Sequence, residues 1–228
     1  MKDIYLYEDC DVLKNKLNIK DPKKLDAAEG SIVSFAIAGI MSNPIKIDSV
    51  FAIKTIHEVL FGDIYDWAGQ NRKINIYKEE PVLNGLSVSY SNYKNIDKDL
   101  KELDKYFKGI KWKALSKGEI IDHIVVLISR LWRIHCFREG NTRSATTFLY
   151  LLMKELGMKV DANFIGKHAK YFRNALVLAS IDEYSEYEYL RNILSDSVSY
   201  KDIESGKYKT IGDYEVENYE YTSHKYKD

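Results

Sequence analysis

Proline is scarce, with three residues in 228, so little in this chain interrupts long helices. Cysteine is scarcer: Cys10 and Cys136 are too few for a disulfide framework, which fits a reducing, cytosolic setting. An excess of either charge is missing too. Thirty-four Lys and Arg balance thirty-four Asp and Glu, so net charge recruits neither nucleic acid nor an anionic membrane. Long hydrophobic runs are also wanting. The start, M-K-D-I-Y-L-Y-E-D-C, has no apolar signal region, and Ile120–Ile128 is interrupted by Asp122 and His123. The expectation is a cytoplasmic protein with no membrane partner and no nucleic-acid partner.

What is present is globular: 45% hydrophobic and 30% charged residues, in a chain long enough to bury a sizeable core. Tyrosine is abundant at 18, and Tyr200, Tyr208, Tyr214, Tyr219, Tyr221 and Tyr226 all fall after residue 199. Such a tail either packs its rings on a helical body or serves as a regulatory, self-modified segment.

Apolar residues recur mostly at helical spacing, which predicts a mainly α fold. Asp21-Pro22 is a helix start, and the helix it opens ends at Asn43-Pro44. Ser49 caps a second helix carrying Val50, Ile53, Ile56, Leu60 and Phe61. Residues 73–90 change period: K-I-N-I-Y-K and L-S-V-S-Y alternate around Asn84-Gly85, predicting a small β-hairpin. Helical spacing resumes over 93–107, 117–134, 142–156, 164–180 and 183–195.

Between two of these helices lies H-C-F-R-E-G-N-T-R, residues 135–143. The preceding helix delivers His135 at its C-terminal end, and the next begins near Thr142. A helix N-terminus presents unpaired N–H groups and a positive dipole end, a ready anion site. Gly140 permits close approach of a phosphate, Asn141 can donate from its side chain, and Arg143 can add a guanidinium. Glu139 would repel that anion unless a cation lies between them, which argues for Mg2+. His135 could take a proton from an attacking hydroxyl, and Phe137 would fold the loop onto the core. Taken singly, His135 reads as a structural histidine, and Arg138 and Arg143 as surface charges. It is their combination that points to a nucleotide site.

The nine residues resemble the signature of Fic-domain proteins, H-P-F-x-[D/E]-G-N-[G/K]-R-x-x-R, at His135, Phe137, Glu139, Gly140, Asn141 and Arg143. Leu60–Arg72, L-F-G-D-I-Y-D-W-A-G-Q-N-R, is similar to the stretch leading into the family's flap. The resemblance spans roughly residues 45–195. It implies a Fic-type helical bundle that transfers AMP from ATP to a Ser, Thr or Tyr hydroxyl of a target protein. His135 would be the catalytic base and Glu139 the Mg2+ ligand, with ATP as co-substrate. Arg138, Gly140, Asn141, Thr142 and Arg143 would hold the phosphates. Lys73, Ile74, Asn75, Ile76 and Tyr77 would form the flap edge that registers the target. The target is unidentified, and self-modification and a homo-oligomer are further partner expectations. Donors other than ATP, a de-adenylylating enzyme and a degenerate nucleotide-binding module stay open.

The chain departs from the signature at Cys136, Thr142 and Thr146, the last standing where the family has its second arginine. The family's inhibitory pattern, [S/T]-x-x-x-E-[G/N], resembles Ser34–Gly39, with Ala38 in place of the acid. This implies a transferase without a glutamate restraint. The expected division is 1–44, N-terminal helices with the degenerate inhibitory segment; 45–199, the catalytic core; and 200–228, the Tyr-rich tail.

Overall fold

A computed structural model describes residues 3–204 together with Ile211 and Tyr214. Eight α-helices carry the described fold: α1 (Pro22–Ser42), α2 (Ala52–Phe61), α3 (Ile96–Gly109), α4 (Lys117–Ile134), α5 (Asn141–Glu155), α6 (Ala162–Lys167), α7 (Ala169–Leu178) and α8 (Glu188–Glu204). The expected mainly α class is observed.

Helix starts follow local chemistry. Asp21 accepts the Lys24 amide at 2.9 Å ahead of Pro22. Ser116 and Glu119 form a reciprocal capping box that opens α4 at the predicted residue. That helix is the axis of the fold. Ile121, Ile124, Val125, Ile128, Leu131 and Trp132 are buried along it, and α3, α5, α7 and α8 pack around it. On the other side α2 packs between α1 and α5. Residues 135–140 join α4 to α5, so the polar loop is anchored in the core.

Three expectations change in detail. The predicted helix over 164–180 is two helices, because the chain breaks at His168 (φ −110°, ψ 30°), whose ring packs on Phe164. Residues 73–90 reverse at Asn84 and Gly85, both left-handed, but no paired strands form there among the described residues. Across the reversal the backbones join close to the turn, where Glu80 N–H donates to Leu86 O at 3.0 Å and Gly85 N–H to Glu80 O at 3.1 Å. Elsewhere side chains take the partners, as when Lys78 N–H donates to Ser87 Oγ. The flap is therefore a doubled-back loop.

The third change concerns residues 3–21, which make turns and one isolated bridge between Leu6 and Leu13 instead of a helix. Asp3 of this segment pairs with Arg138 of the polar loop. Of the tail, Tyr214 packs against Phe164, His168 and Tyr171, and its hydroxyl donates to Asp196. The roles expected of Tyr208, Tyr219, Tyr221 and Tyr226 lie outside the described residues. Helix α1 is long and apolar enough by length and composition to cross a membrane, yet here it packs on α2 through Leu25, Glu29, Val33 and Ile40.

Candidate active site

Helix α4 stops at His135, which turns left-handed (φ 51°, ψ 59°), an uncommon conformation for a residue with a side chain. Arg72 holds it there. This buried guanidinium donates to the His135 carbonyl at 2.7 Å and to Ile74 at 2.6 Å, and also to the Ser91 carbonyl. The Arg72 amide donates to the Cys136 carbonyl at 2.7 Å. One side chain thus ties together the end of α4, the start of the flap and its end.

The His135 ring is 2% exposed and packs on Tyr90, with centroids 4.0 Å apart. Its Nδ1 lies 3.2 Å from the Trp132 carbonyl, which can only accept, so Nδ1 carries the proton. Nε2 is then a buried acceptor with no partner among the described residues. Burial, then the nearby Lys78 charge, hold the imidazole pKa well below its ordinary value. A neutral histidine with an unused lone pair is what a general base requires.

Past His135 the loop folds on itself. Asn141 Oδ1 accepts the Phe137 amide at 2.9 Å and its Nδ2 donates to the Phe137 carbonyl at 2.8 Å. Gly140 is left-handed (φ +79°), and a Cβ there would lie 2.4 Å from the Phe61 ring, so only glycine fits. These two residues start α5 with the amides of Asn141, Thr142 and Arg143 making no hydrogen bond among the described residues. Glu139 reaches over that end, with Oε1 accepting the Gly140 amide at 3.0 Å and Oε2 3.4 Å from Lys78 Nζ. These donors lower the Glu139 pKa against the effect of burial.

Several expected ligands are otherwise engaged. Asn141 uses both side-chain functions on Phe137, so its contribution to an anion is its backbone amide. Arg138 Nε donates to Asp3 at 2.7 Å and braces the N-terminal segment instead of reaching the cradle. Thr142 Oγ1 accepts from Trp132 Nε1 at 3.0 Å. Arg143 alone keeps a partly exposed guanidinium beside the cradle, stacked over Phe61 at 4.9 Å.

That guanidinium pairs with Glu29 of α1, a buried acid whose other oxygen accepts from the Tyr65 hydroxyl. Ser34, Ala38 and Gly39, by contrast, lie on the solvent side of α1, and Ser34 bonds back to the Gly30 carbonyl at 2.7 Å. The expected inhibitory frame does not face the loop. The acid that meets the remaining arginine is Glu29, nine residues before Ala38 on α1, so an acid at this arginine is present after all.

Along the flap, Lys73, Asn75 and Tyr77 are exposed while Ile74 and Ile76 are half-buried, the alternation of an extended edge. The Lys73 amide donates to Tyr5 Oη at 3.0 Å, and Asn75 Oδ1 accepts the Tyr93 amide at 3.0 Å.

Residues 48–153 match the model of the Fic/DOC family. The chain carries a Fic domain. Among curated relatives, the "Probable protein adenylyltransferase Fic" of Escherichia coli is 27% identical over 168 residues, covering 74% of this chain and 80% of that protein. The "Protein adenylyltransferase VbhT" of Bartonella schoenbuchensis is 27% identical over 187 residues, 80% of this chain but 36% of that larger protein. Among solved structures, BepC of Bartonella tribocorum with bound AMPPNP superposes with a TM-score of 0.69 at 25% identity, over 85% of this chain and 95% of that one. The N-terminal Fic domain of Bep8 from Bartonella sp. 1-1C gives 0.73 at 23% identity, covering 87% and 96%, a likeness of fold.

Within this Fic domain, Thr146 donates to the Thr142 carbonyl at 2.8 Å and supplies no charge. His57 was not evident from the sequence. It is fully buried in α2, takes the Gly69 amide on Nδ1 at 2.9 Å and donates from Nε2 to the Glu139 carbonyl at 3.0 Å. Its ring stacks on Phe137, with centroids 3.7 Å apart, and burial lowers its pKa to about 4. Neutral near pH 7, it fixes the backbone that presents Glu139. Its position four residues before Phe61, on the apolar face of α2, resembles any core position, and nothing in its spacing marks it.

Proposed function

We propose that this Fic domain is a Mg2+-dependent protein adenylyltransferase that transfers AMP from ATP to a hydroxyl side chain of a target protein. The observation that carries the reading is the unpartnered buried acceptor His135 Nε2, held neutral next to a helix N-terminus whose first amides make no hydrogen bond among the described residues. The curated relatives named as adenylyltransferases support the same chemistry.

The phosphates would lie on the Asn141, Thr142 and Arg143 amides, with the Arg143 guanidinium beside them. His135 Nε2 would take the proton of the target hydroxyl as its oxygen attacks the α-phosphorus. The new P–O bond forms as the bond to the β-phosphate bridging oxygen breaks, and pyrophosphate leaves. Tyr65 and Glu29 position Arg143. The pair also restrains it, since a phosphate must compete with Glu29 for the guanidinium.

The residues fit a magnesium ion. No group of three His, Cys, Asp or Glu side chains occurs among the described residues, but one carboxylate with phosphates and water is the usual Mg2+ arrangement. Glu139 would be that carboxylate, and the ion would neutralise charge on the phosphates. Lys73–Tyr77 would receive an extended target segment by strand addition. The cytoplasmic setting and self-modification remain parts of this proposal.

The test is transfer of label from ATP carrying it on the α-phosphate, with His135→Ala as control. Transfer that survives in His135→Ala removes the base assignment. Label carried on the γ-phosphate and found on protein would indicate a kinase instead.

A further inference from the structure

The flap loop covers the base, and two ion pairs hold it down. Glu80, fully buried, is gripped by Arg173 of α7 at 2.5 and 3.0 Å, and it also accepts the Tyr90 hydroxyl at 3.2 Å. Tyr90 in turn lies on the His135 ring. Two residues before Glu80, Lys78 reaches Glu139 with its ammonium 3.4 Å from Oε2. The backbone at that point is tied across the loop, Lys78 N–H to Ser87 Oγ and Glu80 N–H to Leu86 O.

This arrangement has two chemical consequences. A target hydroxyl cannot reach Nε2 of a histidine that is 2% exposed while the cover is down. The carboxylate of Glu139 is also already neutralised by a cation that belongs to the chain. An ammonium and a divalent ion would need the same oxygen, and phosphates brought with the ion would favour the doubly charged species there.

We propose that Lys78 is a built-in occupant of the divalent-cation position, clamped there by a cover anchored through Glu80 and Arg173, and that the cation-bound nucleotide displaces it before His135 can be reached. The proposal rests on the adenylyltransferase reading of this site. It makes a specific distinction: a lysine that binds phosphate strengthens nucleotide binding, whereas a lysine in the ion's place opposes it.

Two measurements test it. In the nucleotide-free protein, carbethoxylation of His135 by diethyl pyrocarbonate is followed by peptide mass spectrometry, with partly exposed His168 as internal standard. Lys78→Ala and Arg173→Met should each raise the His135 rate by about tenfold or more relative to His168, since each removes one fastening of the cover. Lys78 is a third exposed, so its variant should fold even if Arg173→Met, which strands a buried Glu80, does not. Unchanged His135 reactivity in Lys78→Ala overturns the proposal.

In the second measurement, Mn2+ binding in the presence of AMPPNP is followed by electron paramagnetic resonance. Lys78→Ala should bind Mn2+ several-fold more tightly than the parent protein, and weaker binding would make Lys78 a phosphate ligand and refute the proposal. The first arm needs neither nucleotide nor turnover. A protein whose His135 is uncovered by Lys78→Ala but which transfers no AMP would sink the functional reading and leave the cover standing.

Discussion

Replacing Gly140 with alanine tests whether the loop geometry carries the site. The residue is left-handed, with φ +79°, a conformation that costs a residue with a Cβ roughly 1–2 kcal/mol. The added methyl would also stand 2.4 Å from Cε2 and Cζ of Phe61, far inside van der Waals contact. Phe61 has little freedom to yield: it is fully buried, stacked on His57 and covered by Arg143. Overpacking of this kind adds about 1–3 kcal/mol. The sum, about 2–5 kcal/mol, should lower the melting temperature by roughly 5–15 °C in a chain of this size. If the loop relieves the clash by moving, the start of α5 shifts relative to His135, and a displacement near 1 Å costs on the order of a hundredfold in rate. Calorimetry and transfer of label from ATP read the two effects separately. Adding Phe61→Leu should restore part of the stability by removing the clash, while the backbone strain remains. A Gly140→Ala protein with parental melting temperature and full transfer would refute the reasoning.

Arg72→Met should remove several carbonyl partners at once, lowering stability by roughly 3–5 kcal/mol in urea unfolding and transfer by about a hundredfold; a loss confined to stability would show that Arg72 does not position His135. His57 titrates near 4 when folded against 6.5 ordinarily, so the unfolded chain takes up the proton first as pH falls. Its contribution is therefore complete above about pH 6.5 and is lost between 6.5 and 4, roughly 3 kcal/mol at its full extent. Urea midpoints at pH 7 and 4.5 should show it, and His57→Gln should flatten the dependence. Ala38→Glu should leave transfer nearly unchanged, because position 38 lies nine residues, about 14 Å, along α1 from Glu29. Glu29→Gln, in contrast, should change the ATP concentration needed for half-maximal transfer, since Arg143 loses its counter-charge.

The helices were legible where one rule decided them. Asp21-Pro22 marked the start of α1, and Asn43-Pro44 its end, because such signals depend on a few adjacent residues. The polar loop was legible as well, since its unusual residue types are consecutive. What escaped was everything carried by distance in the fold. The Glu29–Arg143 pair joins residues 114 apart in sequence, and the resemblance within α1 pointed to Ala38 instead. Arg138 resembled a phosphate ligand until Asp3 was found beside it. Asn141 looked like a donor to an anion because its side chain could donate, yet the loop uses both of its functions internally. The alternation in residues 73–90 did mark an extended segment, but alternation cannot reveal that side chains replace the cross-strand ladder.

Arg72 has one more effect, on the field along the loop. Residues 135–140 lie between the C-terminal end of α4 and the N-terminal end of α5, two poles of opposite sign, each near half an elementary charge. Left alone, the negative pole would draw a proton onto His135 and offset the attraction that α5 exerts on an anion. The guanidinium rests on the carbonyls of that negative pole and cancels it. What remains is one-sided: a resting base without its proton, and, a few residues away, the positive pole of α5 with Glu139 across its end. The loop therefore attracts the polyphosphate without also charging the histidine that must receive the proton.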